Sequence, residues 1–223
     1  MESLLKNMKI KICGITEEYE IEYLNKAQVD YAGFVFYGPS KRNLTIERAR
    51  ELMTQLSENT QKVAVCVSPD AELVKDIQSL PIDVIQIHKK LSEEILSLCD
   101  RPVWYAVNIE DDEEIAAAEE LIASFSEGNA KKIEAIVVDA KSFGSGRPFN
   151  WRKSRRLMKA GAQSPPLFEN RLFILAGGLN PNNVQEGIEI FAPDIVDVSS
   201  GVEGENGKKD GEMINRFVRC ARG

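Results

Sequence analysis

Eight apolar runs recur along this chain, each followed by a polar/apolar pattern of helical period, and that alternation restricts the fold more than any single motif. The runs are Ile10–Cys13, Ala32–Phe36, Val63–Val67, Val84–His88, Val103–Val107, Ala135–Asp139, Leu172–Ala176 and Ile195–Ser199. Most are unbroken β-branched stretches, as parallel strands buried on both faces require. Helical stretches are read at Ile46–Leu56, Ala71–Ser79, Glu93–Leu98, Glu113–Phe125 and Asn182–Ile190. Strand and helix alternating throughout predict an α/β fold with a parallel sheet. Eight such units predict a closed (β/α)8 barrel, with residues 1–223 as a single domain. An open doubly wound sheet is the alternative. It favours a Gly-x-Gly-x-x-Gly turn after the first strand, which Cys13-Gly-Ile-Thr-Glu-Glu does not supply. The stretch Ala162-Gln-Ser-Pro-Pro-Leu reads as a connecting loop, because the alternation resumes beyond it.

Two of the strand ends carry a binding signal. Ile174-Leu-Ala-Gly-Gly-Leu-Asn-Pro-Asn-Asn and Val196-Asp-Val-Ser-Ser-Gly-Val-Glu are short apolar strands that run into small residues and then into turns. Glycine lets a backbone approach a ligand closely, and N–H groups at such turns hold anions. In a (β/α)8 barrel the loops after strands seven and eight hold phosphate in this way. The pattern predicts a small phosphorylated metabolite as ligand. The chain carries a net charge of −7 and no run of lysine or arginine, which argues against nucleic acid or an anionic membrane as partner. Attraction for a phosphate must therefore be local.

No stretch approaches the roughly eighteen apolar residues of a membrane span, and Met1-Glu-Ser-Leu-Leu-Lys lacks an apolar signal core. Cys13, Cys66, Cys99 and Cys220 form no Cys-x-x-Cys pair. Reduced thiols in a cytoplasmic protein are the expectation.

In a barrel, chemistry sits at the carboxyl ends of the strands. Few residues there can move a proton; Cys13, His88 and Asp139 can. Cys13 precedes a glycine turn, so it reads either as a small buried hydrophobe or as a thiol within reach of a ligand. Lys11 shares its face by strand alternation, and an ammonium there would favour the thiolate. Asp139 closes an apolar strand, where an unpaired acid is costly; it is either a turn acceptor or an acid/base group. His88 is the only histidine, so a metal site of several histidines is not expected. Arg42, in the loop after the second strand, is either a solvated surface residue or a clamp on a carboxylate.

Together these residues resemble the phosphoribosylanthranilate isomerase family. The matching stretches are Lys11-Ile-Cys-Gly-Ile-Thr, Gly33-Phe-Val-Phe-Tyr with Ser40-Lys-Arg, Val84-Ile-Gln-Ile-His, Val138-Asp-Ala, Gly144-Ser-Gly-Arg-Pro-Phe-Asn-Trp, Leu175-Ala-Gly-Gly-Leu-Asn-Pro-Asn-Asn-Val and Asp197-Val-Ser-Ser-Gly-Val-Glu with Gly207-Lys-Lys-Asp. They fall in the family's order over nearly the whole chain.

The resemblance implies an Amadori rearrangement of N-(5-phosphoribosyl)anthranilate to 1-(2-carboxyphenylamino)-1-deoxyribulose 5-phosphate, without metal or other cofactor. It carries the general base to Cys13, the general acid to Asp139 and the anthranilate-carboxylate contact to Arg42. Phosphate binding falls on Gly177, Gly178, Ser200 and Gly201, and His88 and Gly146 are further expected substrate contacts. A monomer or weak homodimer is expected. The chain departs from the family pattern at Lys89, where glycine is usual, at Tyr105, where a basic residue is frequent, and at Gly144-Ser-Gly, where the family often has Gly-Gly-Thr-Gly. Two other readings stay open on the residues alone. One is a different sugar-phosphate enzyme of this fold, such as a neighbouring tryptophan-pathway lyase or an epimerase. The other is a non-catalytic barrel keeping only its phosphate cup.

Overall fold

The computed structural model describes residues 8–108, 112–139 and 166–223. Its strands are β1 (Lys9–Cys13), β2 (Tyr31–Phe36), β3 (Gln61–Val67), β4 (Val84–His88), β5 (Val103–Asn108), β6 (Ile133–Asp139), β7 (Leu172–Ala176) and β8 (Ile195–Val198). They pair in sequence order, all parallel, and β8 returns to β1 to close the ring. The open-sheet alternative is thereby excluded.

Helices α1 (Glu18–Ala27), α2 (Ile46–Met53), α3 (Ala71–Gln78), α4 (Glu93–Leu98), α5 (Asp112–Ala123), α6 (Glu127–Ala130), α7 (Val184–Phe191) and α8 (Gly211–Arg222) lie between and after the strands. Short polar side chains start several of them, each accepting a backbone N–H of the first turn: Thr45 from Arg48, Asp70 from Leu73, Ser92 from Ile95 and Asp210 from Met213. Helices α1 and α8 are absent from the stretches read in the sequence. They pack on one another. In α8 the buried residues Ile214, Phe217, Val218 and Ala221 form one face at helical spacing. Among the described residues no helix is long and apolar enough to cross a membrane.

Strand alternation splits the apolar residues into two bodies. Val63, Val65, Val84, Trp104, Ala106, Ala135, Val137, Ile174, Ala176 and Ile195 pack together inside the ring. The residues between them on each strand, such as Ile12, Phe34, Ile85 and Ile136, pack outward against the helices. This sorting decides which strand-end residues can meet a ligand. Phe36 and Val107, at rim positions in the sequence, belong to the outer layer. So does Tyr105, whose hydroxyl donates to the Lys89 carbonyl at 3.2 Å. The fifth-strand departure therefore sits behind the barrel wall and supports the loop after β4. Lys89 has φ of +64°, a left-handed conformation in which glycine is unstrained, so the two departures from the family pattern touch one another.

Candidate active site

A pocket opens at the carboxyl ends of the strands, and most of the predicted residues line it. Cys13 comes from the end of β1, His88 from β4 and Asp139 from β6. Gly177 and Gly178 follow β7, and Ser200 and Gly201 follow β8. Gly146 lies outside the described residues.

The base of this pocket is polar. Lys11, fully buried, points inward beneath Cys13 and donates to Asp197 at 2.6 Å. Burial opposes a charge on Lys11, but Asp197 and Cys13 outweigh it and raise its pKa, so the ammonium is retained. Asp197 Oδ1 is buried without a hydrogen-bond partner among the described residues. Gln86 lies beside it on the inward face of β4, its amide nitrogen 2.8 Å from His88 Nε2. Sequence reading assigned no role to Asp197 or Gln86. The signal was present in the alternation that puts Asp197 inward two residues before Ser199.

The ionisable groups do not all behave as the sequence suggests. The thiol of Cys13 has its pKa raised above the ordinary 9.0, because burial outweighs the attraction of Lys11 and the Asp197 carboxylate works in the same direction as burial. Lys11 favours the thiolate, as its place on the strand suggests, but burial outweighs it and the net shift is upward. Asp139 is raised to about 6 by burial and by Asp197, with Lys11 pulling the other way. At neutral pH about a tenth keeps its proton, far more than for an ordinary carboxyl group. His88 is lowered to about 4 by burial and by the charges of Lys11 and Lys89, so its ring is neutral and available for hydrogen bonding.

Glycine is required at two places by space. A Cβ on Gly33 would stand 2.8 Å from Cys13 Sγ, so this glycine on β2 makes room for the thiol. A Cβ on Gly201 would stand 1.9 Å from the Leu179 carbonyl oxygen, so the turns after β7 and β8 are in backbone contact. Gly177 and Gly178 both have positive φ. The side-chain amides of Asn180 and Asn183 donate to the Gly178 carbonyl at 3.3 and 3.1 Å, which fixes the direction of this turn. The two turns form one wall of the pocket, suited to an anion held by backbone N–H groups.

Above Cys13 stands a charged cluster. Arg42, from the loop after β2, donates through Nε to Glu203 at 2.7 Å, and Lys209 donates to the same Glu203 oxygen at 2.8 Å. Lys209 also donates to the carbonyl and hydroxyl of Ser199, and Ser199 Oγ donates to the Cys13 carbonyl at 2.9 Å. Behind the cluster the buried carboxylate of Glu20 accepts from the backbone N–H groups of Thr16, Glu17 and Lys209, tying the loop after β1 to the loop after β8. Glu203 and Lys209 fall within the family-like stretches at the chain's end, but sequence reading gave them no role, and the pairings of Glu203 with Arg42 and of Glu20 with Lys209 join residues far apart along the chain. Among the described residues no group of three or more His, Cys, Asp or Glu side chains is arranged to hold a metal ion.

A family model described as N-(5'phosphoribosyl)anthranilate (PRA) isomerase matches residues 10–220. The N-(5'-phosphoribosyl)anthranilate isomerase of Thermoanaerobacter pseudethanolicus is 35% identical over 222 residues, covering 97% of this chain and 98% of its own. The crystal structure of phosphoribosyl anthranilate isomerase from Thermotoga maritima superposes with a TM-score of 0.80 at 31% identity, over 96% of this chain and 98% of that one. A second crystal structure of such an isomerase, in complex with reduced 1-(o-carboxyphenylamino)-1-deoxyribulose 5-phosphate, gives 0.77 at 29% identity, again over 96% and 98%.

Proposed function

The chain belongs to the N-(5'-phosphoribosyl)anthranilate isomerase family, an enzyme family of tryptophan biosynthesis, and we propose that it catalyses that isomerisation with Cys13 as general base and Asp139 as general acid. The lyase, epimerase and purely binding readings give way to this membership. The whole of residues 1–223 acts as one catalytic barrel in this reading, as a cytoplasmic monomer or weak homodimer that needs neither metal nor other cofactor.

The substrate is an aminoaldose phosphate. Its phosphate lies against Gly177, Gly178, Ser200 and Gly201, and its aryl carboxylate meets Arg42. Asp139 gives its proton to the ribose ring oxygen. The C1–O bond breaks, and the lone pair of the anthranilate nitrogen forms a C1=N double bond. The resulting positive charge acidifies the hydrogen on C2. Cys13, as thiolate, removes that proton, and the C–H electrons become a C1=C2 bond while the nitrogen regains its lone pair. The product is an enolamine with a hydroxyl on C2. It tautomerises when C1 gains a proton and that hydroxyl loses one, leaving the aminoketose. His88, neutral at the pocket wall, hydrogen-bonds the sugar, and Gly146 is assigned to substrate from the family pattern alone.

One observation carries this reading: a single pocket is lined by a thiol, a carboxyl group with a pKa near 6 and two glycine turns. A pair able to exchange protons beside an anion cup is what the rearrangement requires. Purified Cys13→Ser and Asp139→Asn test it, with anthranilate fluorescence following turnover. Each loses about 10²-fold or more in kcat, the usual contribution of one acid or base, while still binding the reduced product analogue. Retention of more than about a tenth of kcat by either variant overturns the assignment for that residue.

A further inference from the structure

Glu203 is 6% exposed and gathers three cations: Arg42 Nε at 2.7 Å, Lys209 Nζ at 2.8 Å and Lys41 Nζ at 3.2 Å. A largely buried carboxylate is costly unless it is paired, and here three cations pair it. Burial works against its charge, but Arg42 and Lys209 hold its pKa at about 2, so it is ionised throughout the working range.

The way it grips Arg42 is informative. The bond uses Nε, at the inner edge of the guanidinium. Among the described residues neither Nη group has a hydrogen-bond partner. The side chain is also fixed elsewhere along its length. Its backbone N–H donates to Ser40 Oγ at 3.1 Å, and its stem crosses Gly14 so closely that a Cβ there would stand 2.2 Å from Cδ and 3.1 Å from Nε. Gly14 has φ of +83° and directly follows Cys13. A guanidinium is planar, so tying the Nε edge fixes the direction of the two remaining donors.

We infer that Glu203 is a positioning residue: it holds the guanidinium of Arg42 by Nε so that the Nη edge is presented, pre-oriented, to the aryl carboxylate of the substrate. Glu203 itself touches no substrate atom. Lys209 completes the device, joining Glu203 to Ser199 and through it to the Cys13 carbonyl, so the clamp is set relative to the strand that carries the base. The inference rests on the reading of Arg42 as a carboxylate clamp.

The experiment compares two ligands on one set of proteins. The ligands are reduced 1-(o-carboxyphenylamino)-1-deoxyribulose 5-phosphate and the corresponding compound made from aniline, which lacks the carboxylate. Their dissociation constants are measured for wild type, Arg42→Ala, Glu203→Gln and Glu203→Ala, alongside KM and kcat. Wild type prefers the carboxylate-bearing ligand by about tenfold or more, the strength of a charge-assisted hydrogen bond. In both Glu203 variants the preference collapses, the aniline compound binds as before, and KM rises far more than kcat falls. A preference kept by Arg42→Ala removes the clamp reading, and this inference with it. A preference lost in Arg42→Ala but kept in both Glu203 variants overturns the inference and leaves the clamp standing. Equal weakening of both ligands in the Glu203 variants assigns Glu203 to mere structure and also overturns it. Should neither variant fold, wild type still decides. The Arg42 Nε–H resonance, identified by its loss in Arg42→Lys, stays protected from solvent exchange with and without the product analogue; rapid exchange in the complex overturns the inference.

Discussion

Lys11 and Asp197 face each other in register across the β1–β8 seam, and their side chains close an ion pair of 2.6 Å inside the barrel. Asp197 raises the pKa of both Cys13 and Asp139, and Lys11 lowers both. A nearly neutral pair thus sits among the groups proposed to move protons, and its two halves act in opposite directions on each of them.

Removing one half exposes the cost of the other. Asp197→Asn leaves Lys11 buried without its counter-charge and lowers stability by about 3–5 kcal/mol. Urea unfolding measures it. The double replacement Lys11→Met/Asp197→Leu recovers most of that loss, because it removes both charges from the interior. A stable Asp197→Asn protein would mean that Lys11 finds another partner.

The pH profile follows from the two shifted groups. In the proposed mechanism the active form has Cys13 ionised and Asp139 protonated, yet the acid has a pKa of about 6 and the thiol one above 9.0. Below pH 6 the thiolate fraction limits and kcat/KM rises with pH. Between the two values the gain in thiolate and the loss of carboxylic acid cancel, giving a plateau. Above the thiol pKa the rate falls as Asp139 continues to deprotonate. A profile of kcat/KM with an acid limb near pH 6 and no basic limb below pH 9 is expected. A descending limb starting near pH 7 would contradict it.

Asp139 also carries a stability cost with a definite sign. Its folded pKa of about 6 lies above the ordinary 3.8, so the folded state binds the extra proton between those values. Its contribution to stability is complete below about pH 4 and is lost as pH rises through 6. At pH 8, Asp139→Asn is therefore more stable than wild type by roughly 1–3 kcal/mol, and at pH 4 the difference shrinks. Unfolding curves at the two pH values check this, and equal differences at both would refute it.

At the anion cup, Gly201→Ala forces its new methyl group into the Leu179 carbonyl. The turns after β7 and β8 must separate, costing about 1–3 kcal/mol of stability. Because these turns are proposed to hold the phosphate, KM rises about tenfold or more while kcat falls less; loss of one or two hydrogen bonds to a charged group sets that scale. An unchanged KM would detach the phosphate from this wall.

The closed barrel was legible because parallel strands buried on both faces leave long β-branched runs, and the eight runs match the strands to within a residue or two at each end. The rim positions of Cys13, His88 and Asp139 followed from where those runs stop. What the sequence hid was partnership. Lys11 meets Asp197 across 186 positions and Arg42 meets Glu203 across 161, and no local spacing encodes such pairs. Lys11 does pull the thiol pKa down, as its place on the strand suggests, but the burial that outweighs it comes from the closed barrel and cannot be read from two neighbouring residues. The facing of Tyr105 was hidden for a different reason: one position along a strand exchanges the lumen for the helix layer.

The seam between β8 and β1 makes the pocket a late event in the life of each molecule. A ribosome releases Cys13 early, but Asp197, Ser199, Glu203 and Lys209 emerge only after some 180 further residues have been added. Until then the thiol has its neighbour Lys11 but neither the Asp197 carboxylate nor the turn beside it. A chain stopped before β8 has no strand to close the ring onto β1, so the pocket is either complete or absent and not weakened by degrees.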